Sequence, residues 1–262
     1  MTATTALYVP GSRPDRFEKA VAAGPDIVIL DLEDAVAAEE KGAALDAITT
    51  WLTGRDAAGG PAIQVRVNRG AEHEIAALVA TGVPLGLRLP KVESAAELDR
   101  VAALAPGMPL TVLVESALGV ERAFELASHA AATALGAGES DLAAELGTRD
   151  DLVLDHIRLR LLVAARAAGL PAPMLAAYPG IRDLDGLRAD SERGRRLGWR
   201  GRSAIHPSQL AVIREVFRPR DEERGWARAV LDALATDGVA TLPDGQMVDA
   251  AMAARARAIL GG

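Results

Sequence analysis

Residues 62–94 read AIQVRVNRGAEHEIAALVATGVPLGLRLPKVES. An apolar run ends in Arg66 and Asn68, a stretch with helical spacing follows, and a second apolar run ends in Lys91 and Glu93. This strand–helix–strand unit predicts two parallel strands, because a crossover of that length between neighbouring strands is helical. The same unit recurs outward in both directions. Towards the N-terminus lie ALYVP (6–10) and DIVILDLED (26–34). Towards the C-terminus lie PLTVLVES (109–116), AATALGAGE (131–139), APMLAAYP (172–179) and RSAIHP (202–207), with amphipathic stretches between them. Eight short runs, each followed by a helical stretch, predict an α/β protein of the (β/α)8 TIM-barrel class. An open doubly wound sheet is the alternative, but the glycine fingerprint that would cradle a dinucleotide after the first strand is missing.

Composition agrees with a barrel. The chain has 262 residues, half of them hydrophobic but only 3% aromatic, so the core has to be built from Ala, Val, Leu and Ile. The formal net charge of −7 argues against a nucleic-acid partner. With no cysteine there is no disulfide, thiolate nucleophile or Cys-ligated zinc. The N-terminus MTATTALYVPGSRPDRF does not read as a secretory signal, and no apolar run is long enough to span a membrane, so a cytoplasmic protein is expected.

From about residue 220 the pattern changes. DEERGWARAVLDALATDG reads as a helix, TLPDGQMVD carries a Pro-Asp-Gly turn, and AAMAARARAIL reads as a last helix. The expected organisation is a barrel over residues 1–219 and a helical tail over 220–262 that packs on the barrel or on a neighbouring subunit.

Barrel enzymes carry their chemistry at the C-terminal ends of the strands. Those ends here hold Tyr8; Asp31, Glu33 and Asp34; Arg66 and Asn68; Lys91 and Glu93; Glu115; Glu139 and Asp141; Tyr178; and His206. Glu115 and Asp141 follow successive apolar runs and should converge, as two carboxylates do around a hard cation completed by water and substrate oxygens. Solvation, or pairing with arginine, is the plainer reading of both. Arg66 suits two-point binding of a substrate carboxylate; an internal ion pair with Glu33 or Asp34 is equally compatible with its position. The segment VPGSRPDRFEKA (9–20) places Ser12 as a helix cap and Arg13, Arg16 and Lys19 around a helix start. A lone His206 at a strand end reads as a hydrogen-bonded structural residue.

These segments together resemble the citrate lyase β-subunit-like branch of the HpcH/HpaI aldolase/citrate lyase family. LYVPGSRPDRFEKA, DIVILDLEDAVAAEEK, VRVN, LPKVES, LVES, GAGESDL, AIHPSQ and GQMVD match in order, from residue 7 to about residue 250. The resemblance implies a Mg2+-dependent barrel, a homotrimer, acting on an acyl-CoA thioester of the malyl, citramalyl or citryl type. The other substrate or product would be a 2-oxoacid, glyoxylate or pyruvate. It implies Glu115 and Asp141 as metal ligands, Glu33 and Asp34 as supports of the metal's water shell, and Arg66 as the holder of the substrate carboxylate. Tyr8 and Lys19 would line the coenzyme A channel, where Asp15 replaces a residue that can be basic in relatives. Asp249, which its position alone marks as a helix N-cap, would be a catalytic acid on a mobile tail. Three other readings stand beside this one. They are a subunit working on an acyl-carrier protein, a pyruvate-class aldolase, whose histidine base is replaced here by Asp34, and a non-catalytic binding module.

Overall fold

Every residue of the run Ile27–Asp31 is buried, as is every residue of Leu110–Val114. Strands covered on both faces need helices packed around them, and that is the architecture found. The computed structural model describes residues 3–55, 59–235 and 238–261. The chain divides into two compact units, residues 3–216 and residues 217–262.

The first unit runs β1 (Thr5–Pro10), α1 (Phe17–Ala22), β2 (Ile27–Asp31), α2 (Lys41–Gly54), β3 (Ala62–Arg66), α3 (Glu72–Ala80), β4 (Gly86–Leu89) and α4 (Ala95–Leu104). It continues with β5 (Leu110–Val114), α5 (Ala117–Glu121), α6 (Ala123–Ala127), β6 (Ala132–Ala137), α7 (Glu139–Leu146) and α8 (Asp151–Ala167). The last elements are α9 (Leu184–Arg196), β7 (Arg202–Ala204) and α10 (Gln209–Phe217), whose final residue opens the second unit. The seven strands are parallel in the order β6-β5-β4-β3-β2-β1-β7. Two single bridges, Gly136 to Met174 and Leu175 to Arg202, link the two ends of this sheet. Residues 174–175 therefore occupy the place of the remaining barrel strand and join the curled sheet into a TIM-type ring. The run 172–179 predicted a full strand there. Pro171, Pro173 and Pro179 cannot donate to a ladder, which leaves only this short paired piece.

Register then sets which side chains share a level inside the ring. Asp31 lies beside Arg66 across β2 and β3, and Arg66 beside Arg88 across β3 and β4. One level lower, Tyr8, Ile29, Gln64 and Gly86 are neighbours. Ala6, Ile27 and Ile29 form an apolar cluster against which Tyr8 and Met174 pack, closing the ring below the polar layer.

The second unit holds α11 (Asp221–Ala233), a two-stranded antiparallel hairpin of β8 (Ala240–Thr241) and β9 (Met247–Val248), and α12 (Ala250–Leu260). Its core is Ala227, Val230, Leu242, Val248 and Ala256. The Pro-Asp-Gly turn forms as expected: Gly245 takes φ +87°, and Asp244 Oδ1 accepts from the Gln246 N–H at 2.9 Å. The helix expected over 221–238 ends earlier, and residues 236 and 237 lie outside the described ones. Among the described residues no helix is long and apolar enough to cross a membrane.

Candidate metal and substrate site

A cavity of about 430 Å³ opens where the strands end, lined by Tyr8, Asp31, Arg66, Glu115, Asp141 and Met174 among others. Its polar wall is built by β2, β3, β5 and the start of α7, with the loops that follow them.

Arg66, the last residue of β3, is held from three sides. Its Nε and Nη2 donate to Asp31 Oδ1 and Oδ2 at 2.7 and 2.6 Å, a two-point bond that the β2–β3 register makes possible. Nη1 donates to Asp34 Oδ2 at 3.1 Å and lies 2.7 Å from Glu33 Oε2. The guanidinium carbon is 5.2 Å from the Tyr8 ring centroid. Burial opposes the positive charge, but the hydrogen bonds and charge of Asp31 outweigh it, and the Arg66 pKa is raised. Three of its five N–H groups are engaged in these hydrogen bonds, which leaves donors for a ligand oxygen. The ion-pair reading of Arg66 is met, by Asp31 as well as by Glu33 and Asp34, and the same residue lines the cavity. Beside it, Arg88 donates down to Gln64 Oε1 at 2.7 Å and to Tyr8 Oη at 3.1 Å, tying this level to the one beneath.

Glu115 follows β5 and is only 5% exposed. Its Oε2 accepts the backbone N–H of Lys91 at 3.0 Å. Burial, followed by the negative charges of Glu33 and Asp141, pushes its carboxyl up to about 7. Space for this side chain comes from Gly138, where an added Cβ would lie 2.4 Å from Glu115 Cγ and Oε1. Asp141 stands in the first turn of α7, where the helix dipole favours a carboxylate. Glu33 is also buried. Its Oε2 accepts no hydrogen bond despite the nearby Arg66, and burial raises its pKa against the opposing charge of Arg66. Lys91 Nζ lies 3.2 Å from Glu33 Oε1 and 3.5 Å from Asp141 Oδ1.

The cavity wall thus brings Glu115 and Asp141 together, Gly138 leaves room for the Glu115 side chain, and Glu33 stands behind them in ion pairs with Arg66 and Lys91. Its all-oxygen donor set fits a hard divalent cation. Among the described residues no three acids or histidines group as a metal-binding cluster. What the protein offers is a pair of carboxylates, the pattern Mg2+ uses with water and substrate oxygens.

Tyr8, Asp34, Arg66, Glu115 and Asp141 line one cavity, and Glu33 reaches it through Arg66 and Lys91. Lys19 is exposed on α1 and is not among the cavity's lining residues, whereas Arg16 is. Asp15 forms a two-point exposed pair with Arg13. Ser12 does not cap α1, because a 3-10 turn over Pro14–Arg16 intervenes and the helix starts at Phe17. His206 Nδ1 pairs with Ser208 Oγ at 2.8 Å, a local turn contact. In the second unit Asp249 is the N-cap of α12, its Oδ1 accepting from Ala251 and Met252 N–H at 3.0 and 3.2 Å. Sequence reasoning assigned no role to Asp31, Lys91, Arg88 or Gly138. Asp31 and Lys91 left a signal as polar residues ending apolar runs, and Arg88 and Gly138 left none.

A protein-family model described as HpcH/HpaI aldolase/citrate lyase matches residues 4–207. This chain belongs to that family. It is 39% identical to a (3S)-malyl-CoA thioesterase of Cereibacter sphaeroides over 93% of this chain and 88% of that protein. A citrate lyase subunit beta-like protein of Mycobacterium tuberculosis is 37% identical over 97% of this chain and 93% of its own length. The crystal structure of the CitE protein from Mycobacterium tuberculosis, in complex with magnesium, acetoacetate and coenzyme A, superposes with a TM-score of 0.82. It is 35% identical, covering 99% of this chain and 97% of that one. Family membership thus accords with the barrel and with the citrate lyase β-like resemblance of the motifs.

Proposed function

We propose that this chain is a Mg2+-dependent carbon–carbon lyase that cleaves or forms a 3-hydroxyacyl-CoA, malyl-CoA or citramalyl-CoA, with acetyl-CoA and a 2-oxoacid as the other side of the reaction. The observation that carries this reading is the meeting, in one strand-end cavity, of the Glu115–Asp141 pair with a braced Arg66. The relatives named for malyl-CoA chemistry and for magnesium and coenzyme A support it.

In this reading Glu115 and Asp141 hold Mg2+, with Glu33 and Asp34 ordering the water around it. When bound, the ion supplies Lewis-acid stabilisation of charge on substrate oxygens. Arg66 grips the carboxylate of the 2-oxoacid portion. Because Asp31 holds Nε and Nη2 and Asp34 holds Nη1, it presents its remaining N–H groups without reorganising. In the cleavage direction the substrate hydroxyl gives up its proton to solvent and the bond between its carbon and the α-carbon breaks, leaving the 2-oxoacid and an acetyl-thioester enolate. The acetyl-thioester enolate then takes a proton at that carbon. We assign that proton to the carboxyl of Asp249, which a neighbouring subunit would supply in a homotrimer. Tyr8 in the cavity and Lys19 on α1, with Arg16 in the turn before it, meet the coenzyme A portion.

The name of the Cereibacter relative favours a second reading in which the thioester is hydrolysed to free malate. One experiment separates the two. Purified protein is mixed with malyl-, citramalyl- or citryl-CoA, with Mg2+ and then with EDTA, and the products are followed by mass spectrometry. Mg2+-dependent acetyl-CoA plus glyoxylate or pyruvate is expected. Free CoA and a hydroxyacid alone would select the thioesterase, and no turnover of any CoA thioester would refute both.

A further inference from the structure

Lys91 has φ +52° and is the one non-glycine residue with positive φ among the described residues. An L-residue is disfavoured there, and glycine would adopt the conformation without strain. The conformation serves two contacts at once. The backbone N–H donates to Glu115 Oε2 at 3.0 Å, while the ammonium lies between Glu33 Oε1 and Asp141 Oδ1. Glycine would keep the first contact and relieve the backbone, so the second is what a lysine side chain adds. Among the described residues Asp141 pairs with the Lys91 ammonium, while Arg66 is turned to Asp31, Glu33 and Asp34.

We propose that Lys91 is the internal counter-ion of this site, whose ammonium competes with the divalent cation for Asp141 and so sets how tightly that cation is held. The inference rests on the reading of Glu115 and Asp141 as the cation's ligands. The Lys91 side chain is about one-third exposed, and its flexible four-carbon stem lets it release Asp141 while keeping Glu33. The lysine also links the two carboxylates through one residue, its N–H orienting Glu115 and its ammonium orienting Asp141. It is a positioning residue and touches no substrate atom in this account. A weaker, exchangeable cation is the consequence.

The test is Mn2+ binding to the full chain, read as loss of the free Mn2+ signal in electron paramagnetic resonance, with competition by Mg2+. Wild type is compared with Lys91→Met, Lys91→Gly, Lys91→Arg and Asp141→Asn. Removing the ammonium in Lys91→Met and Lys91→Gly should tighten Mn2+ roughly threefold to tenfold. Lys91→Arg, which keeps the charge, should stay within about twofold of wild type. The glycine variant also removes the backbone strain, so agreement between Met and Gly assigns the effect to charge. Unchanged or weaker binding in both, with Asp141→Asn still losing the ion, would overturn the counter-ion role alone. Mn2+ bound equally well by Asp141→Asn would instead overturn the ligand assignment, and this proposal with it.

Discussion

Replacing Glu115 by glutamine should stabilise the protein at alkaline pH when divalent cations are chelated. The carboxyl is 5% exposed, faces Glu33 and Asp141, and titrates at about 7 instead of the ordinary 4.5. A displacement of one pH unit corresponds to about 1.4 kcal/mol, so the gap from 4.5 to about 7 means that holding Glu115 ionised costs roughly 3 kcal/mol of stability at about pH 8. The sign follows from the folded pKa lying above the unfolded one. Folding takes up a proton between those values, so wild-type stability falls as pH rises from about 4.5 to about 7 and stays reduced above it. Glutamine carries no such charge and still accepts the Lys91 N–H. Thermal unfolding in EDTA should therefore show the variant melting about 6–12 °C higher near pH 8, the two curves converging below about pH 4.5. Saturating Mg2+ should raise the wild type and leave the variant unmoved. A gap that does not change with pH, or a glutamine variant that is less stable near pH 8, would refute the electrostatic argument.

Gly138→Ala should cost about 1–3 kcal/mol in chemical denaturation, since the new methyl overlaps Glu115, and it should weaken Mn2+ binding as the carboxylate is displaced. Arg66→Lys loses the two-point bond to Asp31 and its fixed fork; kcat/KM for thioester cleavage should fall about a hundredfold or more, with the fold retained by circular dichroism. Asp249→Asn preserves a good helix cap, so stability should change by only a few tenths of a kcal/mol, whereas Asp249→Ala should lose about 1 kcal/mol. If turnover survives in the asparagine variant, Asp249 is a cap and not the proton-transfer acid.

The barrel was legible because its strands are apolar runs and the stretches between them have helical spacing. Leu110–Val114 is the plainest case, five buried residues in a row followed at once by Glu115. The run at 172–179 misled on length, since hydrophobicity marks a buried segment while its flanking prolines decide how much of it can pair. At the site, Glu115, Asp141 and Arg66 could be picked out as polar residues ending apolar runs. The bracing of Arg66 by Asp31 could not, because it depends on a register between two strands that no local pattern specifies. Nor could the backbone of Lys91, for lysine carries no signal of a left-handed conformation. Nor could the need for Gly138, whose reason is a neighbour more than twenty positions away. Asp249 shows the opposite limit: its capping geometry is plain in the structure, and that geometry neither requires nor forbids a role in proton transfer.

The most direct measurement is anomalous diffraction from crystals soaked with Mn2+ and pyruvate or glyoxylate. The account predicts one strong peak within bonding distance of Glu115 and Asp141, with the oxoacid carboxylate against Arg66. A peak elsewhere, or an oxoacid bound away from Arg66 while Glu115 and Asp141 hold no metal, would contradict it.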